Sequence, residues 1–168
     1  MLFLTACRVP EYHGHGGDIP PGDARDHLRS EIVGLFVAHG AIPSACKNSR
    51  KVTPLHMAAR YGLVRVAGAL LDLGANPNAL DIMKETPLYR ATNLRYYEAT
   101  STILTGGADP NLANRKGYTP LHRATLKGDI DLVRLLLENG ANPLLRDVDN
   151  KMPIDYSRKE DIAQQLVG

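Results

Sequence analysis

An all-α solenoid of stacked helix-turn-helix units is the fold class the sequence predicts, and three observations carry it. The stretch Thr53-Pro54-Leu55-His56-Met57-Ala58-Ala59 returns as Thr86-Pro87-Leu88-Tyr89-Arg90-Ala91-Thr92 and Thr119-Pro120-Leu121-His122-Arg123-Ala124-Thr125. A worn copy begins at Met152-Pro153-Ile154, and each step is 33 residues. A second marker runs in phase: Gly74-Ala75-Asn76-Pro77, Gly107-Ala108-Asp109-Pro110 and Gly140-Ala141-Asn142-Pro143 are also 33 apart, with Gly40-Ala41-Ile42-Pro43 lying 34 before the first. Aromatic residues are 5% of the 168, with no Trp, against 43% hydrophobic, a composition suited to many thin Leu and Ala layers. A period of this size marks supersecondary units that bury their apolar faces on one another.

The elements follow in order. Met1-Leu2-Phe3-Leu4-Thr5-Ala6-Cys7 reads as a remnant helix without a Thr-Pro start, so either the chain begins inside a longer protein or this apolar edge packs on something. Residues 10–26, rich in Gly, Pro and His, form an inserted loop of about 18 extra residues before a helix that starts near Ser30 and contains Phe36-Val37. Thr53, Thr86 and Thr119 then each open a helix: the hydroxyl accepts a bond from an orphan N–H, and Pro at the first helical position has no N–H to lose. These helices are short, since Gly62 and Gly128 end two of them and Arg95 stands at the equivalent place in the third. A second helix follows in each repeat, with Val66, Ala69, Leu70 and Leu73 in one copy and Leu132, Leu135 and Leu136 in a later one. The Gly-Ala pair stops it, and Pro three residues after that Gly forbids its continuation. Polar segments such as Asn111-Leu112-Ala113-Asn114-Arg115-Lys116-Gly117-Tyr118 read as turns or hairpin fingers. Asp161-Ile162-Ala163-Gln164-Gln165-Leu166 reads as a C-terminal cap.

On these residues the chain resembles the ankyrin-repeat family, in phase from about residue 30 to the end. The resemblance implies an ankyrin-repeat solenoid of stacked helix-turn-helix units with β-hairpin fingers, in which the inner helices and fingers form a concave recognition face. It implies a single domain over 1–168, of about five repeats with the first and last divergent. It also implies that His56 and His122 hydrogen-bond neighbouring backbone. At the finger, the position the family gives to Asp is Asn48, Asp81, Asn114 and Asp147, while the Gly that follows survives only as Gly117. Lys51, Lys84 and Asn150 replace it, so less regular turns are expected there, as is altered bonding where Tyr89 replaces His.

Charge points to the same face. Residues 48–61, 81–94 and 114–127 hold nine positive and two negative side chains, net +7, which leaves −5 for the rest of a +2 chain. The predicted contact residues are Arg50, Arg60, Tyr61, Met83, Arg90, Leu94, Arg115, Lys116, Tyr118, Arg123 and Lys127, with Arg90 and Arg123 stacked on adjacent repeats. Arg and Tyr are enriched in binding hot spots, and guanidinium pairs bidentately with carboxylate. The expected function is a non-enzymatic interaction module, an adaptor, scaffold or regulator, binding an acidic peptide or protein surface. The bland alternative is an ordinary solvated surface. Neutralising Arg90 and Arg123 is expected to weaken a true partner while barely altering stability.

Other classes are weighed against this one. Nucleic-acid binding through the same face lacks a base-stacking cluster beyond Tyr61 and Tyr118. A bacterial effector or targeting module of a larger protein fits the same repeats. His13, Gly14 and His15, with His27 and Cys7, could supply zinc ligands, but His-x-His alone is a weak signal, a Gly-rich loop whose histidines face water is the favoured reading, and no metal or cofactor is assigned. No phosphate loop, nucleophile triad or paired carboxylates stand at informative spacing, so neither an enzyme nor a small-molecule substrate is expected. Leu4-Thr5-Ala6-Cys7 resembles a lipoprotein cleavage box but has only six residues before Cys7. No apolar run approaches the roughly 18 residues of a membrane helix. With two unpaired-looking cysteines, Cys7 and Cys46, the expected compartment is the cytoplasm, or the nucleus in a eukaryote. The expected state is a monomer or weak end-to-end association.

Overall fold

The computed structural model describes residues 49–157. The first repeat with its 10–26 loop, Cys7, Cys46, Asn48, His13, His15, His27 and the cap at 161–166 lie outside the described residues. Within them, first helices α1 (Pro54–Tyr61), α3 (Pro87–Asn93) and α5 (Pro120–Lys127) alternate with second helices α2 (Val64–Asp72), α4 (Tyr97–Thr105) and α6 (Ile130–Glu138). A 3-10 helix at Pro153–Tyr156 takes the place of a fourth first helix. α1 packs on α3, α3 on α5 and α5 on the 3-10 helix, while α2, α4 and α6 stack as a second layer, each pair closing its own repeat.

The starts are as the motif dictates. Thr53, Thr86 and Thr119 are extended, with φ of −89°, −89° and −82°, and their hydroxyls accept the N–H of His56, Tyr89 and His122. Gly62 and Gly128 end α1 and α5 in the left-handed region at φ 64° and 67°, and Arg95 takes that conformation after α3 at φ 63°. Its guanidinium Nε donates to Asp129 at 2.7 Å, tying the strained turn to the start of α6. Leu55, Leu88 and Leu121, one per motif, are fully buried, as are Leu70, Ile103 and Leu136 of the second layer. Ala58, Ala91 and Ala124 have no exposed surface, so the first layer is spaced by methyl groups. In the second layer Gly106 serves likewise, since a Cβ there would lie 2.5 Å from Leu71.

Fingers precede the first helices, but as tight turns: no strand occurs among the described residues. Each is closed by a pair such as Asp81 N–H to Glu85 C=O and Lys84 N–H to Asp81 C=O, repeated at Asn114–Tyr118 and Asp147–Lys151. Single bonds join successive fingers, from Ile82 N–H to Arg50 C=O, Arg115 N–H to Met83 C=O and Val148 N–H to Lys116 C=O. The expected irregularity at the missing glycines is not found. Lys84 and Asn150 adopt φ of 58° and 62° and close the same turn as Gly117 at 77°. The backbone bonds fix the turn, and the side chain bears the strain. A left-handed non-Gly residue costs about 1–2 kcal/mol, partly balanced by the entropy a glycine would add to the unfolded chain. Lys84→Gly is therefore expected to raise stability by about 0.5–1 kcal/mol in urea unfolding. Gly117→Ala is expected to lower it by about 2 kcal/mol, because its Cβ would meet Asp147 Cα at 2.6 Å, a backbone atom that cannot swing aside.

A further ladder runs through the loops after the second helices. Asn78 Oδ1 accepts the Asp109 N–H at 2.8 Å, and Asn111 Oδ1 accepts the Asn142 N–H at 2.7 Å. Leu144 ends that series, and its side chain is exposed.

Candidate functional site

The site is built from one carboxamide or carboxylate per finger and one residue per first helix. Asp81 Oδ1 accepts the N–H groups of Met83 and Glu85, Asn114 Oδ1 those of Lys116 and Tyr118, and Asp147 Oδ1 those of Asp149 and Lys151. That use of Oδ1 leaves the second atom of the group to face elsewhere. Asp81 Oδ2 accepts from Arg90 Nη2 at 2.5 Å, and Asp147 Oδ2 accepts from the Tyr156 hydroxyl. Arg90 Nε lies 3.7 Å from Glu85, and no hydrogen bond satisfies it.

Electrostatics follow from these contacts. Burial by itself would raise the Asp81 carboxyl, but Arg90 and the backbone N–H groups of Glu85 and Met83 hold it below the usual range. Glu85 is raised, by burial first and by Asp81 second, against the opposing pull of Arg90 and Arg123. Asp147 is pushed up by burial yet ends below its usual value through Tyr156 and two backbone donors.

Arg123, the counterpart of Arg90, behaves differently. Its Nε donates to Asn93 Oδ1 at 2.8 Å, and among the described residues it forms no ion pair. Asn93 belongs to the preceding repeat, so the Arg123 guanidinium bridges α5 and α3. Asn93 also lines an open cleft of about 270 Å³ together with Arg60, Glu85, Arg90 and Leu94.

The two histidines among the described residues are structural. His56 Nδ1 accepts the Thr53 N–H at 3.2 Å, which leaves its Nε2–H to donate to the Glu85 carbonyl of the next finger at 3.0 Å. His122 repeats this with Thr119 and the Lys151 carbonyl. Both nitrogens are thus used in the neutral ring, and burial drives the His56 pKa down to about 4 and lowers that of His122. Tyr89 fills the same position and makes no such bond, so the histidine tie is missing between the middle two repeats. Burial pushes its phenol up to about 12, with the nearby Arg123 opposing.

The predicted contact residues divide accordingly. Arg50, Arg60, Met83, Leu94, Arg115, Lys116 and Lys127 are exposed on the fingers and first helices. Tyr61 and Tyr118 are half-buried; Tyr118 stacks on His122 with centroids 5.8 Å apart and its hydroxyl meets that of Tyr156 at 3.2 Å. Arg90 is committed to Asp81, so the expectation that its loss barely alters stability is corrected: removing it strands a carboxylate that is 2% exposed. Sequence reading placed Asn114 at the finger position the family gives to Asp without assigning it to the site, and it left out Glu85 and Asn93 as site residues. Aligning residues 81, 114 and 147 with residues 90, 123 and 156 in one register would have flagged the mismatch of Asn114 with Arg123.

Among the described residues no group of three or more His, Cys, Asp or Glu could hold a metal ion, and no helix is long and apolar enough to cross a membrane. No curated protein matches the chain. A family model described as "Ankyrin repeat" matches residues 50–82, and one described as "Ankyrin repeats (many copies)" matches residues 103–157. Between these stretches lies the repeat that carries Lys84, Tyr89 and Arg95.

Proposed function

Because the chain belongs to the ankyrin-repeat family, whose members are generally protein-protein interaction modules, we propose that it is a non-enzymatic adaptor or regulator that binds an acidic protein surface through its fingers and first helices. The observation that carries this reading is the middle of the three described fingers and its helix. Residues 114–127 hold Arg115, Lys116, Arg123 and Lys127 with no acidic residue, and three of those cations are exposed. Charges arrayed this way on exposed side chains steer association and select a partner of opposite sign. Met83 and Leu94, exposed at 47% and 44%, supply apolar contact beside them.

Affinity capture from lysate tests the reading, comparing wild type with an Arg115→Glu, Lys116→Glu, Arg123→Glu variant whose helicity is intact, at two salt concentrations. Acidic proteins held by wild type, released by salt and absent from the variant are the expected result. An unchanged set of captured proteins would overturn it.

A further inference from the structure

The three fingers are in register, and their differences are informative. In the first complete finger the second oxygen of Asp81 takes the guanidinium of Arg90; in the last, the second oxygen of Asp147 takes the hydroxyl of Tyr156. The middle finger has Asn114 where those have Asp, and Arg123 where they have Arg90 and Tyr156. Two backbone N–H groups bond Asn114 Oδ1, at 2.9 and 3.1 Å, which fixes the orientation of the amide and leaves an NH₂ where the neighbours present oxygen. An amide NH₂ and a guanidinium are both donors and cannot pair. Arg123 accordingly turns its Nε to Asn93 and forms no ion pair among the described residues.

We propose that the middle finger is a seat for a carboxylate supplied from outside: an Asp or Glu side chain of an acidic partner pairs with Arg123 and the Asn114 amide, doing in trans what Asp81 does for Arg90 in cis. This rests on the reading of the finger face as a protein-binding surface and names its anchor. The neighbouring repeat shows that the local frame accepts a carboxylate against an arginine at these register positions, with an N–O distance of 2.5 Å. The seat is selective for a planar, two-oxygen anion, because a guanidinium offers paired parallel donors. Arg115, Lys116 and Lys127 add attraction around it, and an acidic run with one residue at Arg123 satisfies both.

The substitution that tests the seat closes it from within. Asn114→Asp gives Arg123 the intramolecular partner that Arg90 already has. Ala113→Asp adds the same charge one residue away on an exposed side chain that does not bond the finger backbone. Fluorescence anisotropy with a labelled hexaglutamate peptide is the readout, with urea unfolding as the check on fold. Asn114→Asp and Arg123→Gln are expected to weaken peptide binding by about tenfold or more, the equivalent of at least 1.4 kcal/mol. Asn114→Asp is expected to unfold at an unchanged or higher urea concentration. Ala113→Asp is expected to weaken binding only about two- to threefold, and Arg134→Gln on α6 to leave it unchanged. If Ala113→Asp weakens binding as much as Asn114→Asp, or if both test variants bind like wild type, the carboxylate seat is overturned while the basic-face reading stands. If wild type ignores hexaglutamate and binds an oligothymidine probe instead, both are overturned.

Discussion

Lowering the pH from 7 to 4 is expected to remove about 3 kcal/mol of folding stability through His56 alone. The ring is fully buried and accepts at Nδ1 while donating at Nε2, so only its neutral form fits. Burial, with Arg90 adding to it, lowers its pKa to about 4, against 6.5 for an unperturbed histidine. A group depressed in this way leaves stability intact above pH 6.5 and erodes it as pH falls toward 4, because the unfolded chain takes up the proton first. His122 is lowered as well and acts in the same direction. Glu85, raised by burial, acts in the opposite direction over the acidic range, while Asp81 and Asp147, both lowered, add their losses at still lower pH. A repeat array with a net stability of about 5–15 kcal/mol would feel the His56 loss as a large drop in urea midpoint. His56→Gln should flatten that pH dependence even though it lowers stability at pH 7. An equal slope in variant and wild type would mean that the acid sensitivity lies elsewhere.

Leu88→Ala is expected to cost about 3–5 kcal/mol at neutral pH. Leu88 has no exposed surface and sits in α3, which packs on α1 on one side, α5 on the other and α4 behind it. A cavity at that point weakens both interfaces of a nearly one-dimensional array. The same change at Leu144, 70% exposed, should stay within about 0.5 kcal/mol. Denaturant unfolding followed by circular dichroism measures both. Comparable losses at the two sites would contradict the layered core.

Much of this architecture was legible because it is periodic. Thr-Pro at 53, 86 and 119 marks the three helix starts, and Gly62 and Gly128 mark two of the stops. The second helices were legible from their Leu pairs. The site was less so, for a physical reason. Asp81 and Arg90 are nine residues apart and meet only because the finger folds back on its helix. No helical or strand period brings positions that far apart together. Arg123 and Asn93 belong to different repeats. Composition counts Arg90 and Arg123 as equal charges, whereas the fold neutralises the first and leaves the second unpaired among the described residues. The turns at Lys84 and Asn150 were misread because a missing glycine signals strain, and strain of about 1–2 kcal/mol is small enough for the surrounding backbone bonds to overrule.

The central claim is that the fingers and first helices, led by residues 114–127, receive an acidic protein segment. Amide chemical-shift mapping of the labelled chain during titration with unlabelled hexaglutamate tests it most directly. The account predicts perturbations centred on Arg115, Lys116 and Arg123, extending to Arg60 and Leu94, and fading as salt screens the pairs. Perturbations confined to the second layer, α2, α4 and α6, or none at low salt, would contradict it.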